Sequence, residues 1–560
     1  MHPDHLCSSV VPFRSVFPEF DETMPKFTLN NQEIEAKPGQ TIIEAAGDHG
    51  VAIPHYCYHA DLPIDGNCRM CLVDVEKMPK LTPACTTVVN EGMVVRSDNE
   101  RVKQAVRGVL EFLLINHPVD CPVCDQAGEC RLQDYYMVYG LHTSEIPLGM
   151  KVRKRKVIDL GPMVVLDQER CVLCSRCIRF FDHVTETGEM QFFGRGDHVA
   201  IGTFEDKPLD NPYSGNVVDI CPVGALTSRD FRFKCRVWFL HATDSVCGGC
   251  STGCAVRIDH RDGSIFRMIP RRNPEVNRSW LCDEGRLSFH ELSKTERVQT
   301  PLMKGPDRVQ AAVTWAEAVR SIDSRLKEIR VANGPDSILG FASPSATNEA
   351  LFLFKRYLED RAGATQFEFR VDSEEKNLAE KEDQILRRLD KHPNSKGAIK
   401  LGLISDQLEG IQGAIKAARD GRIKAGVIMY LKPLVNRPGD DEAEGRVLEL
   451  INALEYSVVV AAHTADWQEA ANVVLPVASW SEEEGTYTNF EGRVQFAGRA
   501  IESSGDALPV WEVFAMLLHA GGAESPWMSA ADVFSTMTEH VPAYRGISLE
   551  QTRLPGVVVG

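Results

Sequence analysis

Sixteen side chains in the first half of this sequence have the types and spacings that hold metal. All 17 cysteines lie between Cys7 and Cys282, and none follows. Fifteen of them fall into four groups. The first is Cys57-x10-Cys68-x2-Cys71-x13-Cys85. The second is Cys121-x2-Cys124-x5-Cys130, one thiol short of a four-ligand set, with His117 four residues ahead of it. The third is Cys171-x2-Cys174-x2-Cys177 with Cys221 downstream, and the fourth is Cys247-x2-Cys250-x3-Cys254-x27-Cys282. Disulfide frameworks belong to short secreted chains. Here the N-terminus has no charged region leading into an apolar stretch, so no signal peptide is expected. Zinc sites pair two CxxC units, whereas three thiols within seven residues, as in Cys171 to Cys177, is iron–sulfur spacing. Such sites move single electrons, so no catalytic acid, base or nucleophile is expected.

Each group resembles a known cluster motif. The first follows a short alternating run (KFTLNNQEIEA) and a helical stretch (TIIEAAGDHG), as in plant-type ferredoxins, whose loop holds [2Fe–2S]; the first gap here is wider. Gly66 and Arg69 sit beside its sulfurs. Group two matches a [4Fe–4S] motif of one histidine and three cysteines, with His117 as the nitrogen ligand. In the third, Phe181 stands where a bacterial ferredoxin has its fourth cysteine, and Cys221-Pro222 closes a second run whose first three cysteines are replaced. The fourth cysteine of such a run ligates the other cluster, so Cys171, Cys174, Cys177 and Cys221 form one [4Fe–4S] set, ringed by Arg170, Arg176 and Arg179. Group four resembles the [4Fe–4S] motif that opens molybdopterin oxidoreductases. Cys7 and Cys235 are left over, Cys235 as a packed thiol.

The elements that must carry these groups are of two kinds. With 43% hydrophobic and 25% charged residues the chain is globular and multidomain, and a net charge of −17 argues against nucleic acid. The cysteine-poor stretches of the first half read as short strands and helices. From Val313 onward helical stretches alternate with the buried runs SILGFAS, QFEFRV, KLGLIS, AGVIMYLK and SVVVAAH, which predicts a doubly wound parallel sheet. The expected units are a flexible tail (1–24, with Met24 as an alternative start), a [2Fe–2S] ferredoxin-like domain (25–103), a one-histidine, three-cysteine [4Fe–4S] domain (104–145), a one-cluster ferredoxin-like region (146–238), a molybdopterin-oxidoreductase-type [4Fe–4S] domain (239–298) and an α/β domain (299–560). That α/β domain resembles molybdopterin oxidoreductases, chiefly through ANVVLPVASWSEEEGTYTNFEGRVQ. The stretch GFASPSATNEA has no cysteine where relatives ligate molybdenum, with Ser343 or Ser345 the alternative ligand, so no molybdopterin is expected. The basic run KVRKRK (Lys151 to Lys156) reads as a solvated hairpin or a subunit contact. No P-loop, HExxH or dinucleotide loop is present.

Taken in order, the four motifs resemble the large iron–sulfur subunits of NADH–quinone oxidoreductase, respiratory complex I. That resemblance implies one [2Fe–2S] and three [4Fe–4S] clusters in an electron relay. Electrons would come from an FMN-bearing, NADH-oxidising flavoprotein subunit and leave through the one-cluster ferredoxin site, with the fourth cluster off the path. It also implies other peripheral-arm subunits as partners, quinone as the final acceptor, proton translocation by the whole complex, and a peripheral place on the cytoplasmic side of a bacterial inner membrane. No apolar run reaches the roughly 20 residues of a membrane span. The alternatives are a molybdenum-containing, NAD-linked formate dehydrogenase α subunit, which needs a metal ligand and a longer second half, an iron-only hydrogenase, which needs further cysteines, and a storage or assembly scaffold.

Overall fold

Alternating side chains in KFTLNNQEIEA make the first element a hairpin. β1 (Lys26–Leu29) pairs antiparallel with β2 (Gln32–Glu35), and Phe27, Leu29 and Ile34 turn inward. The turn is Asn30-Asn31, with φ of 49° and 68°, left-handed values that asparagine tolerates and a two-residue hairpin turn requires. α1 (Ile42–Asp48) opens on Thr41, whose N–H and hydroxyl donate to the Glu44 carboxylate at 2.8 and 2.7 Å. β3 (Leu72–Val75), β4 (Thr82–Pro83) and β5 (Val94–Arg96) complete a five-stranded sheet in the order β2-β1-β5-β3-β4. The computed structural model describes residues 24–140, 143, 146–293, 296–370, 382–404, 408–431, 434–435, 440–520 and 525–559. The expected tail, Cys7 included, lies outside these apart from Met24.

α2 (Glu100–Leu114) is capped by Asn99, whose side chain accepts from the Val102 N–H at 2.9 Å. Val102, Val106 and Leu110 recur every four residues and form one buried stripe. The stripe shares a core with Tyr56, Cys57, Cys130 and Cys174, so this helix braces three of the cysteine groups at once. The expected domain boundary after residue 103 falls inside it. α3 (Arg131–Tyr139) begins directly after Cys130. β6 (Ile158–Asp159), β7 (Val164–Leu166), α4 (Arg176–His183), β8 (Met190–Phe193), β9 (Ala200–Thr203), α5 (Asn216–Ile220) and β10 (Leu226–Ser228) build the ferredoxin-like region, with sheet order β10-β7-β6 and a separate β8-β9 hairpin. β11 (His241–Val246), β12 (Ala255–Arg261) and β13 (Ser264–Pro270) form a meander, and α6 (Asp283–Leu287) packs on β13.

The remaining chain is α/β. Its helices and strands, in order, are β14 (Leu302–Lys304), β15 (Gln310–Ala312), α7 (Trp315–Asn333), β16 (Ile338–Phe341), α8 (Asn348–Arg356), β17 (Gln366–Glu368), α9 (Ser395–Lys400), α10 (Gly410–Arg419), β18 (Ala425–Tyr430), α11 (Asp440–Ala453), β19 (Tyr456–Ala461), β20 (Val473–Pro476), β21 (Gly485–Thr488), β22 (Arg493–Ala497), α12 (Val510–Leu518), α13 (Ala530–His540) and β23 (Val557–Val558). Strands β17-β16-β18-β19-β20 run parallel, and β14 and β15 add an antiparallel edge. Alternate residues serve opposite layers. Ile338, Val427, Val458 and Val460 pack with α7, α8 and α12, whereas Leu339, Phe341, Ile428 and Val459 pack with α10 and α11. Strand burial on both faces is why these runs read as continuously apolar. One expected strand is absent among the described residues. Lys400 of the run KLGLI ends α9, the chain turns at Gly402 (φ 72°), and Leu401 and Leu403 reach the core from a loop. A short apolar run reports burial and does not by itself distinguish strand from loop. Among the described residues no helix is long and apolar enough to cross a membrane.

Candidate metal centres

The structure gathers the first four thiols around the loop between α1 and β3. Cys57, Cys71 and Cys85 are buried and Cys68 is half-buried. Cys71 directly precedes β3, and its carbonyl accepts from the Ala84 N–H at 2.8 Å, which fixes Cys85 beside it. The Cys57 N–H points at the Cys68 sulfur at 3.4 Å. Contact of Cys57 with the Cys68 and Cys85 thiols, and of Cys71 with Cys85, lowers Cys57 and Cys71 and holds the protons on Cys68 and Cys85.

The second group lies beyond α2. Cys121 opens a short 3-10 turn, and Cys124 and Cys130 are buried, Cys130 at the start of α3. Burial pushes Cys130 up to about 11 and raises Cys124. His117 and Cys124 share the neighbours Arg170 and Asp120. Burial lowers the His117 imidazole to about 4, so it is neutral at pH 7, the form that binds metal. The basic run forms no hairpin; Arg153, Arg155 and Lys156 are exposed, and Lys151 and Lys154 are half-buried. The Lys151 ammonium donates to the carbonyls of Leu114, Ile115 and His117 at 2.8, 3.0 and 2.7 Å, and Lys156 pairs with Glu169 and Asp120. The carbonyls beyond the last turn of α2 lack helical partners, and a lysine satisfies them. On the other side Arg236 donates to the carbonyls of Cys124 and Pro122. Cys235, beside it, is half-buried rather than packed.

In the third group Leu173 and Ser175 take positive φ of 53° and 61°, which curls Cys171, Cys174 and Cys177 about one point at the start of α4. Cys221 follows α5 and joins them; Cys171, Cys174 and Cys221 all act electrostatically on Cys177. Burial raises all four, Cys171 to about 12 and Cys221 to about 11. The fourth group sits between β11 and β12, where the Cys247 N–H donates to the Cys254 carbonyl at 2.8 Å. Cys282 caps α6 and accepts from the Gly285 N–H at 3.3 Å. Burial raises Cys247 to about 12 and pushes Cys254 and Cys282 well up. Trp480 of the α/β domain donates to the Val246 carbonyl at 3.0 Å and closes the site.

These donor sets fit iron–sulfur clusters. Buried thiols become thiolates when they bind metal; four ligands serve one to each iron of a [4Fe–4S] cubane or two to each iron of [2Fe–2S]. Room for sulfur is built into the backbone. A Cβ at Gly224 would lie 2.4 Å from the Cys124 sulfur, and one at Gly285 would lie 3.1 Å from that of Cys247.

The sites are joined. Cys57 and Cys174 are electrostatic neighbours across groups one and three. The Arg131 N–H, directly after Cys130, donates at 3.1 Å to the carbonyl of Pro222, directly after Cys221. Asn216, at the start of α5, exchanges two hydrogen bonds of 2.8 and 2.9 Å with Leu281, directly before Cys282. Sequence spacing carries no sign of Lys151, Gly224, Arg131 or Asn216, because each acts through main-chain groups remote in the chain.

At the carboxyl ends of the parallel strands, where α/β folds bind ligands, the described residues leave a cavity of about 30 Å³, lined by Gly248, Ser345, Leu431, His463, Trp480 and Glu483. The Ser343 hydroxyl donates to the Leu431 carbonyl at 3.2 Å, and Ser345 bonds His392 at 3.0 Å. Arg297 and Glu482 form a bidentate pair beside them at 2.6 and 2.7 Å.

Comparison with known proteins assigns the same series of parts. Residues 22–100 match a family model for the 2Fe-2S iron-sulfur cluster binding domain, and 107–145 match that of the NADH-ubiquinone oxidoreductase-G iron-sulfur binding region. Residues 161–227 match the NADH-quinone oxidoreductase subunit 3 ferredoxin-like domain, and 240–290 match the NDSU1/NuoG-like 4Fe-4S domain. Residues 297–391 and 409–520 match molybdopterin oxidoreductase. An NADH-quinone oxidoreductase subunit of Rickettsia bellii is 40% identical over 354 residues, 62% of this chain and 51% of that protein. The mitochondrial NADH-ubiquinone oxidoreductase 78 kDa subunit of Candida albicans is 43% identical over 55% of this chain and 42% of its own. The chain thus spans about half the length of the curated relatives it matches. A chain of an NAD+-reducing [NiFe]-hydrogenase crystal structure is 29% identical, covers 38% of this chain and 91% of its own, and has a TM-score of 0.35.

Proposed function

We propose that this chain, a homologue of the large iron–sulfur subunits of NADH–quinone oxidoreductase, is the electron relay of such a complex. Its ligands are Cys57, Cys68, Cys71 and Cys85 for [2Fe–2S], and His117, Cys121, Cys124 and Cys130 for the first [4Fe–4S]. Cys171, Cys174, Cys177 and Cys221 hold the second [4Fe–4S], and Cys247, Cys250, Cys254 and Cys282 the third. Bound there, the clusters supply one-electron chemistry. The chain's own residues hold the ligand loops at fixed separation and keep water out.

One observation carries the reading: the third group is bonded to, or faces, each of the other three. That makes it a hub rather than the exit expected from sequence. Electrons enter at the first site from a flavoprotein subunit that oxidises NADH, cross the third site and leave by the second. Val119 and Val123 beside the second site's ligands are 51% and 62% exposed, which gives a partner subunit close approach. The fourth site, reached through Asn216 and capped by Trp480, is a branch with a structural role. No molybdopterin binds. A cavity of about 30 Å³ holds a couple of waters, and the hydroxyls of Ser343 and Ser345 are already engaged. In the assembled complex the relay serves quinone reduction and proton translocation, peripheral to the cytoplasmic face of the membrane.

The test is elemental analysis of the loaded chain with EPR. We expect about 14 irons, from one two-iron and three four-iron clusters, equal labile sulfide and no molybdenum, with the first three sites reduced by NADH in the assembled complex. About ten irons would remove one four-iron site. Molybdenum at one per chain would favour the formate dehydrogenase reading instead, and sites that NADH never reduces would favour a scaffold.

A further inference from the structure

Two buried cations lie between the first and third sites, without carboxylate partners among the described residues. Arg176 and Arg179, one turn apart on α4, are 4% and 7% exposed. Arg179 donates from one nitrogen to the carbonyl of Cys57, a ligand of the first site, and at 3.4 Å to that of Cys174, a ligand of the third. Its other terminal nitrogen takes the Pro63 carbonyl, and its Nε donates to the Ser175 hydroxyl at 3.0 Å. Arg176 repeats the pattern. It donates to the carbonyl of Tyr58, directly after Cys57, and at 3.0 Å to that of Ile220, directly before Cys221. The nearest carboxylate reached is Asp65, through the Ser175 hydroxyl.

Four other buried or part-buried arginines are neutralised directly. Arg170 pairs with Asp120 and Asp167, Arg267 with Asp259 and Glu129, Arg286 with Asp219, and Arg297 with Glu482. A buried charge without a counter-ion is strongly destabilising. Carbonyl dipoles solvate the two guanidiniums but do not cancel their charge. The anionic groups that flank them are the thiolate sites on either side.

We propose that Arg179, seconded by Arg176, is a positioning residue that couples these two sites. Its fork ties the Cys57 and Cys174 loops together through their carbonyls, and its charge sits between two anionic centres and raises the reduction potential of both. One electron leaves the first site, which is oxidised, and enters the third, which is reduced; no bond breaks and no proton moves. The added negative charge on either site is stabilised by the same guanidiniums. This inference rests on the electron-relay reading.

The experiment is an EPR-monitored potentiometric titration of the full, cluster-loaded chain. In Arg179→Gln both the [2Fe–2S] signal and the third-site [4Fe–4S] signal keep their line shapes. Both titrate at lower potential, with about a tenfold loss in the reduction equilibrium, or about 59 mV for one electron. Arg179→Lys keeps the charge and restores both potentials. The fourth-site signal does not move in either variant. Intact signals with unmoved potentials in Arg179→Gln would overturn the proposal. So would a lysine variant as shifted as the glutamine one, or one that loses both signals, since either makes the residue a matter of folding alone. If glutamine costs the clusters, the lysine variant decides: signals at unshifted potentials support the charge role. A wild-type chain without a [2Fe–2S] signal would instead defeat the relay reading itself.

Discussion

At the residue scale the identity of each donor sets what its site can do. Fifteen of the candidate donors are thiols, anionic once metal-bound, and one is an imidazole that burial keeps neutral. A neutral ligand leaves the cluster with less negative charge and so raises its potential, as histidine does in Rieske centres. His117→Ala is expected to lose or alter one [4Fe–4S] EPR signal and leave the [2Fe–2S] signal intact. His117→Cys is expected to keep the four-iron signal and move it to lower potential by at least about 59 mV, a tenfold effect for one electron. An unchanged spectrum in the alanine variant would show that His117 is not a ligand. The candidate donors stand out in the sequence because metal binding constrains residue type and spacing directly. The residues that hold His117 in place do not. Lys151 reads as part of a basic surface run, yet it spans the carbonyls that end α2.

At the element scale, sites are made where helices start and strands end. Cys130 opens α3, Cys177 lies in the first turn of α4, Cys221 follows α5 and Cys282 caps α6. α2 braces three of the groups with one stripe of Val102, Val106 and Leu110. A close fit between elements at a candidate site is at Gly224, in the loop between α5 and β10, where an added methyl would stand 2.4 Å from the Cys124 sulfur. Backbone and a ligand loop meet there, so neither can give cheaply. Gly224→Ala is expected to broaden or abolish the second-site signal, spare the [2Fe–2S] signal, and cost about 1–3 kcal/mol in stability by overpacking. EPR with thermal melting reads both; normal spectra and an unchanged Tm would mean that the loop yields. A helical stretch after Val313 and most strands of the α/β sheet were legible as helical and apolar runs, whereas the capping box of Thr314 and Glu317 that opens the helix over Trp315–Asn333 is read from the structure. KLGLIS misled because its leucines are buried from a turn.

At the scale of the whole molecule, two kinds of stability are joined in one chain. The first half has small sheets and short helices around thiol sites, an arrangement whose order is expected to depend on metal ligation, as in small metal-bound domains. The α/β half has its own large core on both sheet faces and no thiol. Anaerobic removal of iron with a chelator is therefore expected to melt the first half at lower temperature and leave the α/β transition nearly in place. A single transition that moves as a whole would show instead that the halves unfold as one unit, through contacts such as Trp480 on Val246.

By itself the sequence picked out sixteen candidate donors, their division into four sets and the half of the chain that lacks them. Those properties are local: a cluster demands given donor atoms at short intervals. Only the tertiary structure decided how the sets are arranged. The third set lies among the others because Arg131 meets Pro222, Asn216 meets Leu281, and Arg179 meets both Cys57 and Cys174. Each of these contacts is made to a main-chain carbonyl or amide, groups that every residue carries. No pattern of residue types could therefore announce them, and only the packing of α3, α4 and α5 brings them within reach.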